Sequence, residues 1–162
     1  MSKVNIANST QVFYETDQTT DPIPVAKEIP RIISISGPNR TSEDIDITAF
    51  DSPGSEREYL SGRVDPGEIS IEIQYSRAQV AHAWLEDQNA SQSFGVPTTQ
   101  NFCIRFLEDS TPGALQYATK CFKATVSGFE FSGDIDSAKT ATVTLRVTGS
   151  TVITFPDSRT VA

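Results

Sequence analysis

The sequence predicts an all-β protein with one flanking α-helix, and three observations carry that expectation. The first is composition: 14 Ile, 11 Val and 18 Thr stand against 5 Leu and 1 Met, and side chains branched at Cβ fit a pleated sheet better than a helix. The second is alternation, because several stretches switch between apolar and polar residues with period two, as a strand with one dry and one wet face must. The third is that three-and-four spacing is found in one stretch, directly after a helix-start signal at Ser76. A chain of 162 residues suffices for one domain with its own core. We place that domain at residues 1–150 and a C-terminal extension at 151–162, and we expect the tail after Gly149 to reach a neighbour or fray.

Taken in order, a Pro-bounded stretch from Pro24 ends in the strand Ile32-Ile33-Ser34-Ile35 and is punctuated by Gly37-Pro38-Asn39. Asp44, Asp46 and Thr48 then alternate with Ile45, Ile47 and Ala49, giving a strand with a wet and a dry face. Residues 50–67 hold Pro53, Gly54, Gly62, Pro66 and Gly67 and no sustained period. This reads as one long inter-strand loop, well beyond the roughly 2–6 residues of ordinary connections.

Glu68, Ser70, Glu72 and Gln74 alternate with Ile69, Ile71, Ile73 and Tyr75, the cleanest amphipathic strand in the sequence. Ser76 and Gln79 have the spacing of a capping box, so a helix is expected over residues 77–88, with Arg77, Ala81, Trp84 and Leu85 on one face and the last two plugging the sheet core. A hairpin follows about Ser110-Thr111-Pro112-Gly113, with Phe102, Ile104 and Phe106 facing inward. The inward phase of its second strand runs Phe122, Ala124, Val126 and then skips to Phe129 and Phe131, which calls for a bulge at Ser127-Gly128. The final strand spans residues 140–148.

Matching the dry faces of the hairpin sets Cys103 opposite Cys121, on the face away from Phe102 and Phe122, although slips of two residues keep the same parity. The N-terminal residues lack the apolar core of a secretory signal and no run approaches a membrane span. A cytoplasmic origin and two reduced thiols are therefore expected.

Charge and motifs exclude more than they propose. A net charge of −8 argues against a surface that grips phosphate backbones. Nucleotide-binding glycine loops, nucleophile elbows and zinc-ligand spacings are missing from the sequence. His82, the single histidine, reads as a surface or satisfied residue rather than a base. Asp44/Asp46 and Glu68/Glu72 sit on wet strand faces rather than across a cleft, and Asp134-Ile135-Asp136 reads as a solvated turn because Ala138 and Lys139 stand where a calcium loop needs an oxygen ligand and a glycine. No catalytic, cofactor or metal residue is nominated.

The order of the pieces carries a resemblance. Ile32 to Pro38, Asp44 to Ser52, Glu58-Tyr59-Leu60-Ser61-Gly62-Arg63-Val64-Asp65-Pro66-Gly67-Glu68, a strand running into a helix, and the closing Thr144 to Gly149 resemble the major tail tube proteins of long, non-contractile bacteriophage tails over roughly residues 10–150. That resemblance implies a β-sandwich with a flanking helix and a virion location after assembly in the host cytoplasm. It also implies polymerisation as stacked hexameric rings around a DNA conduit, with a tape measure protein inside and tail terminator and distal tail proteins at the ends. Type VI secretion tubes are built alike.

An open sandwich reaches the same end independently, since head-to-tail closure pairs edge strands that are otherwise a hazard. The expected bridging loop then offers Asp51, Pro53, Glu56, Arg57, Tyr59 and Arg63 to neighbouring subunits. A conduit must not hold its cargo, so the wet side chains Asp44, Asp46, Thr48, Glu68, Ser70, Glu72 and Gln74 are expected to face the lumen. The alternatives are a monomeric β-sandwich that binds carbohydrate or another ligand, and a small acid-catalysed hydrolase.

Overall fold

A computed structural model describes residues 10–15, 25–49, 57–92, 99–111, 114–133, 138–154 and 160–161. Ten strands and one helix follow one another as β1 (Gln11–Glu15), β2 (Val25–Glu28), β3 (Ile32–Ser36), β4 (Thr41–Asp46), β5 (Tyr59–Asp65), β6 (Glu68–Gln74), α1 (Val80–Gln92), β7 (Gln100–Thr111), β8 (Ala114–Ser132), β9 (Thr140–Thr154) and β10 (Thr160–Val161). Among the described residues eight strands form one sheet in the order β10-β2-β1-β7-β8-β9-β6-β3, while β4 and β5 pair only with each other. The sheet curls so that side chains from β1 and β7 meet those of β6 and β9 in one main core.

The cleanest alternation folds as its pattern demands. Ile69, Ile71 and Ile73 are fully buried, and Glu68, Ser70, Glu72 and Gln74 take the other face. Val12 and Tyr14, Phe102 and Ile104, Phe122, Ala124 and Val126, and Ala141, Val143, Leu145 and Val147 complete the core from the remaining strands. The bulge in β8 lies where the skipped phase requires it: Val126 pairs Leu145 and Gly128 pairs Thr144, leaving Ser127 unopposed. Phe106, expected inward, sits at the rim and remains 36% exposed.

The helix differs from expectation at its start. Residues 77–79 make a turn, and the first helical bond runs from the Ala83 N–H to the Gln79 carbonyl, so α1 begins at Val80 rather than Arg77. The capping box does not form because His82 takes the Ser76 N–H: that amide donates to His82 Nδ1 at 3.2 Å. With Nδ1 accepting, Nε2 carries the proton and donates to the Pro30 carbonyl at 2.8 Å. His82 is fully buried and satisfied on both nitrogens. Leu85 is buried in the core and Trp84 lies against it, stacked on Tyr14 with ring centroids 4.3 Å apart. Arg77 stays in solvent.

The C-terminal strand is longer than its alternation suggests. Beyond Gly149, which adopts φ +74, β9 rejoins β8 with Cys121 opposite Val152 and Thr119 opposite Thr154. Thr160 and Val161 pair with β2 in parallel. These stretches return to the chain's own sheet, because positive φ at a glycine turns the strand without ending it.

Candidate functional site

The long loop expected over residues 50–67 is half strand. Residues 59–65 pair with β4 as an antiparallel hairpin, Ile45 opposite Leu60 and Asp46 opposite Tyr59. β4 is thus no neighbour of β6, whose partners are β9 and β3. The wet residues Asp44, Asp46 and Thr48 therefore belong to a different sheet from Glu68, Ser70, Glu72 and Gln74. Alternation identifies two-faced strands and says nothing about which strands pair.

The hairpin leaves the body through a tight base. Gly37 and Gly67 have φ of +95 and +82, and a Cβ on Gly67 would strike the Asn39 carbonyl oxygen. The Asp65 Oδ1 accepts the Gly67 N–H at 2.9 Å, and that bond holds the Asp65 carboxyl below the usual carboxylate range, with Arg146 adding to the effect. At the far end Asp46 accepts both the N–H and the hydroxyl of Thr48, and the hydroxyl bond in particular lowers its pKa. Arg57 lies 4.0 Å from the same carboxylate.

Between these ends the dry face is left about half exposed. Ile45, Ile47, Leu60 and Val64 are 51%, 48%, 56% and 50% exposed, and Tyr59 is exposed from the opposite face. Gly62 lies beneath Ile45 on the dry side. Of the residues expected to bridge subunits, Tyr59 and Arg63 are on β5 and Arg57 is beside it. Asp51, Pro53 and Glu56 lie outside the described residues.

The polar face of the main sheet is a second continuous surface. Ser34 and Ser36 of β3 stand beside Glu72 and Ser70 of β6, which pair in turn with Thr142 and Thr144 of β9. The Ser34 hydroxyl donates to Glu72 at 3.2 Å. Arg146 is the cation in this row, and the row's other charges are Glu68 and Glu72. Arg146 escaped the sequence reading, although its place in the wet phase of β9 amid threonines was a visible signal.

The hairpin register puts Cys103 opposite Cys121 as expected, with Cα atoms 4.1 Å apart, but the two are joined as a disulfide rather than kept as thiols. The expectation rested on compartment alone, whereas a directly opposed pair brings the sulfurs together wherever an oxidant is present. Phe13 buries the pair on the face away from the main core.

A groove of about 480 Å³ opens where β3 faces β7 across the unclosed seam of the sheet, lined by Thr10, Ile32, Ile33, Ile35, Ile104 and Phe106 among others. Ile33 points into it because a bulge between Ile32 and Ser34 removes it from the ladder with β6. No helix among the described residues is long and apolar enough to cross a membrane, and none of these residues forms a cluster suited to a metal ion.

The sequence matches the lambda-like phage tail tube family over residues 3–157. The chain belongs to that family. Its fold is similar to a subunit of the SPP1 tail tube, with a TM-score of 0.65 at 13% identity over 97% of this chain and 81% of that one. It is also similar to a chain of the gene transfer agent tail, TM-score 0.63 at 14% identity, covering 93% and 99% of the two chains. A chain of the anti-feeding prophage baseplate gives 0.66 at 17% identity, covering 95% and 97%. No curated protein sequence matches the chain. This tail tube protein is a structural subunit of a virion tail.

Proposed function

We infer that the subunit polymerises as hexameric rings stacked into a hollow tube through which DNA leaves the capsid, with residues 1–150 as the tube domain and 151–162 as its extension. One observation carries the reading beyond the family: a strand pair whose dry-face residues Ile45, Ile47, Leu60 and Val64 are each about half exposed, as a surface destined for a neighbour is. Two of the similar structures are described as sixfold or C6 symmetric, which favours rings of six. The role is structural and not catalytic, and the tape measure, terminator and distal tail proteins are the partners such a tube requires.

In this reading the polar face bearing Glu68, Ser70, Glu72 and Gln74 lines the lumen, where a wall whose cation Arg146 is already paired with Asp65 and Glu68 avoids holding phosphates. Asp44, Asp46 and Thr48 line it only where the hairpin folds inward beside β6. Arg57, Tyr59 and Arg63, with Asp51, Pro53 and Glu56, bridge subunits. Negative-stain microscopy of concentrated purified protein is the direct test: hollow tubes with sixfold ends are expected, and a stable monomer by light scattering at every concentration would return the ligand-binding alternative.

A further inference from the structure

Resting on that reading, the structure also suggests what receives the hairpin. Two uncharged apolar surfaces are exposed at separate places. One is the ridge of Ile45, Ile47 and Leu60 on the hairpin; the other is the groove at the sheet seam, where Ile33 is 54% exposed and Phe106 36%. We propose that the groove between β3 and β7 is the receptor for the hairpin ridge of a second copy of this chain.

Three features choose that occupant. The described residues lining the groove are Thr, Ile, Ser, Gly and Phe, without a formal charge among them, so a charged segment entering it would lose hydration without a partner from these residues. Two copies of a chain with net charge −8 repel one another, and an apolar contact is one that they can make without adding like-charge cost. The third is chain geometry. Gly37 lines one end of the groove and begins the path into β4, yet Ile45 and Leu60 remain more than half exposed, so the hairpin does not occupy its own groove.

Ridge and groove are different surfaces, and the contact is therefore head-to-tail, the kind that closes into a ring or continues as a filament. β3 is also an edge strand of the main sheet among the described residues. Its outer backbone groups adjoin the groove and offer hydrogen bonds to whatever strand enters. Ile33 is the anchor on the receiving side, since its bulge turns an isoleucine toward the opening at an edge where a regular ladder would have aimed it elsewhere.

The test uses two variants that each spoil one half. Ile33→Glu blocks the groove and leaves the ridge, while Leu60→Glu spoils the ridge and leaves the groove. Both sites are exposed, so circular dichroism and melting should match wild type; Phe106→Lys and Ile45→Glu form a second pair should either fail to fold. Each variant alone is expected to raise the assembly concentration by more than about tenfold. An equimolar mixture should give a heterodimer that grows no further, because one competent ridge meets one competent groove.

Wild-type-like assembly of either variant, or absence of the heterodimer when both variants are assembly-dead, overturns the pairing while leaving the tube reading intact. Wild-type protein that stays monomeric at every concentration overturns both. A groove filled from within the same chain would appear as lost thermal stability in Ile33→Glu with assembly preserved, and that too overturns the pairing.

Discussion

Arg146 Nη2 donates to Asp65 Oδ2 at 2.7 Å, tying the central part of β9 to the base of the projecting hairpin. Its Nη1 reaches Glu68 Oε1 at 3.3 Å, so one guanidinium spans the point where the hairpin joins the body. Both partners are about half exposed, and a pair in water adds little to global stability. Its effect is on direction, because it fixes the angle at which the last residue of β5 enters β6.

The sign of the acid response follows from Asp65. Its pKa is lowered in the fold, first by the Gly67 N–H and also by Arg146, with desolvation opposing both. The contribution is fully present above the unfolded carboxylate's pKa and is lost as pH falls through the lower folded value. Urea melts through the acid range should show Asp65→Asn with a flatter loss of stability than wild type below the usual carboxylate range, and with no difference in slope near neutrality. A parallel slope throughout would show that Asp65 is not held in the fold.

Gly67→Ala should destabilise through backbone and space together. Its φ of +82 is unfavourable for an L side chain, and the added Cβ would meet the Asn39 carbonyl. Unlike Gly149, which also has positive φ but nothing near a Cβ, Gly67 has no room to adjust. Thermal melts of the two alanine variants should separate, with Gly149→Ala costing about 1–2 kcal/mol for its left-handed backbone alone and Gly67→Ala clearly more.

The helix is anchored by two unlike contacts. Leu85 is 2% exposed within the core, so Leu85→Ala should cost about 2–5 kcal/mol. Trp84 stacks on Tyr14 and approaches Phe102 from the core's rim. Trp84→Ala should cost about 3 kcal/mol, the low end for truncating a large aromatic, because part of the ring is already in water. Denaturant midpoints at constant slope give both values, and a loss below about 1 kcal/mol at either site would mean that α1 does not cap the core.

How much of this was legible in the sequence depends on the range of the interaction. Ile69, Ile71 and Ile73, the Ser127 bulge and the Cys103–Cys121 register could be read because each is fixed by local alternation or by one turn. The start of α1 was misread because His82, which captures the Ser76 N–H, is itself held by the distant Pro30 carbonyl. The dry face of β4 was legible as dry, but its exposure was not, since alternation cannot say whether the covering surface belongs to the same chain. The groove at Ile33 needs the β3–β6 register before its bulge exists at all.

The disulfide makes a chemical prediction. Intact protein should have the mass of a chain lacking two hydrogens, and a reductant should restore them. With Cys103 and Cys121 separated by 18 positions, reduction is expected to lower stability by about 3 kcal/mol through the freed unfolded chain. Melts with and without reductant measure the difference. Because Phe13 covers the pair, reduction should be slow in the native protein and fast in urea; equal rates would mean that the sulfurs are open to solvent.

The polar face of β6 allows a test of the conduit that does not depend on seeing it. Glu72 pairs with Thr142 on one side and Ser34 on the other, and its side chain is half-buried in that row. Glu72→Lys reverses one charge per subunit without touching Ile71 or Ile73 beneath, so tubes should still assemble. If this face lines the lumen, each ring gains cations that can displace counterions from passing DNA, and the contacts repeat along the tube. Ejection should slow, and slow most at low salt, where screening is weakest. Asp46→Lys is the internal control. Asp46 is on the separate hairpin and already bonded to Thr48, so if only β6 lines the channel, Asp46→Lys should leave ejection unchanged while Glu72→Lys retards it. Equal slowing by both would bring the hairpin inward beside β6, and unchanged ejection in both, with tubes intact, would place the β6 face on the outside of the tube.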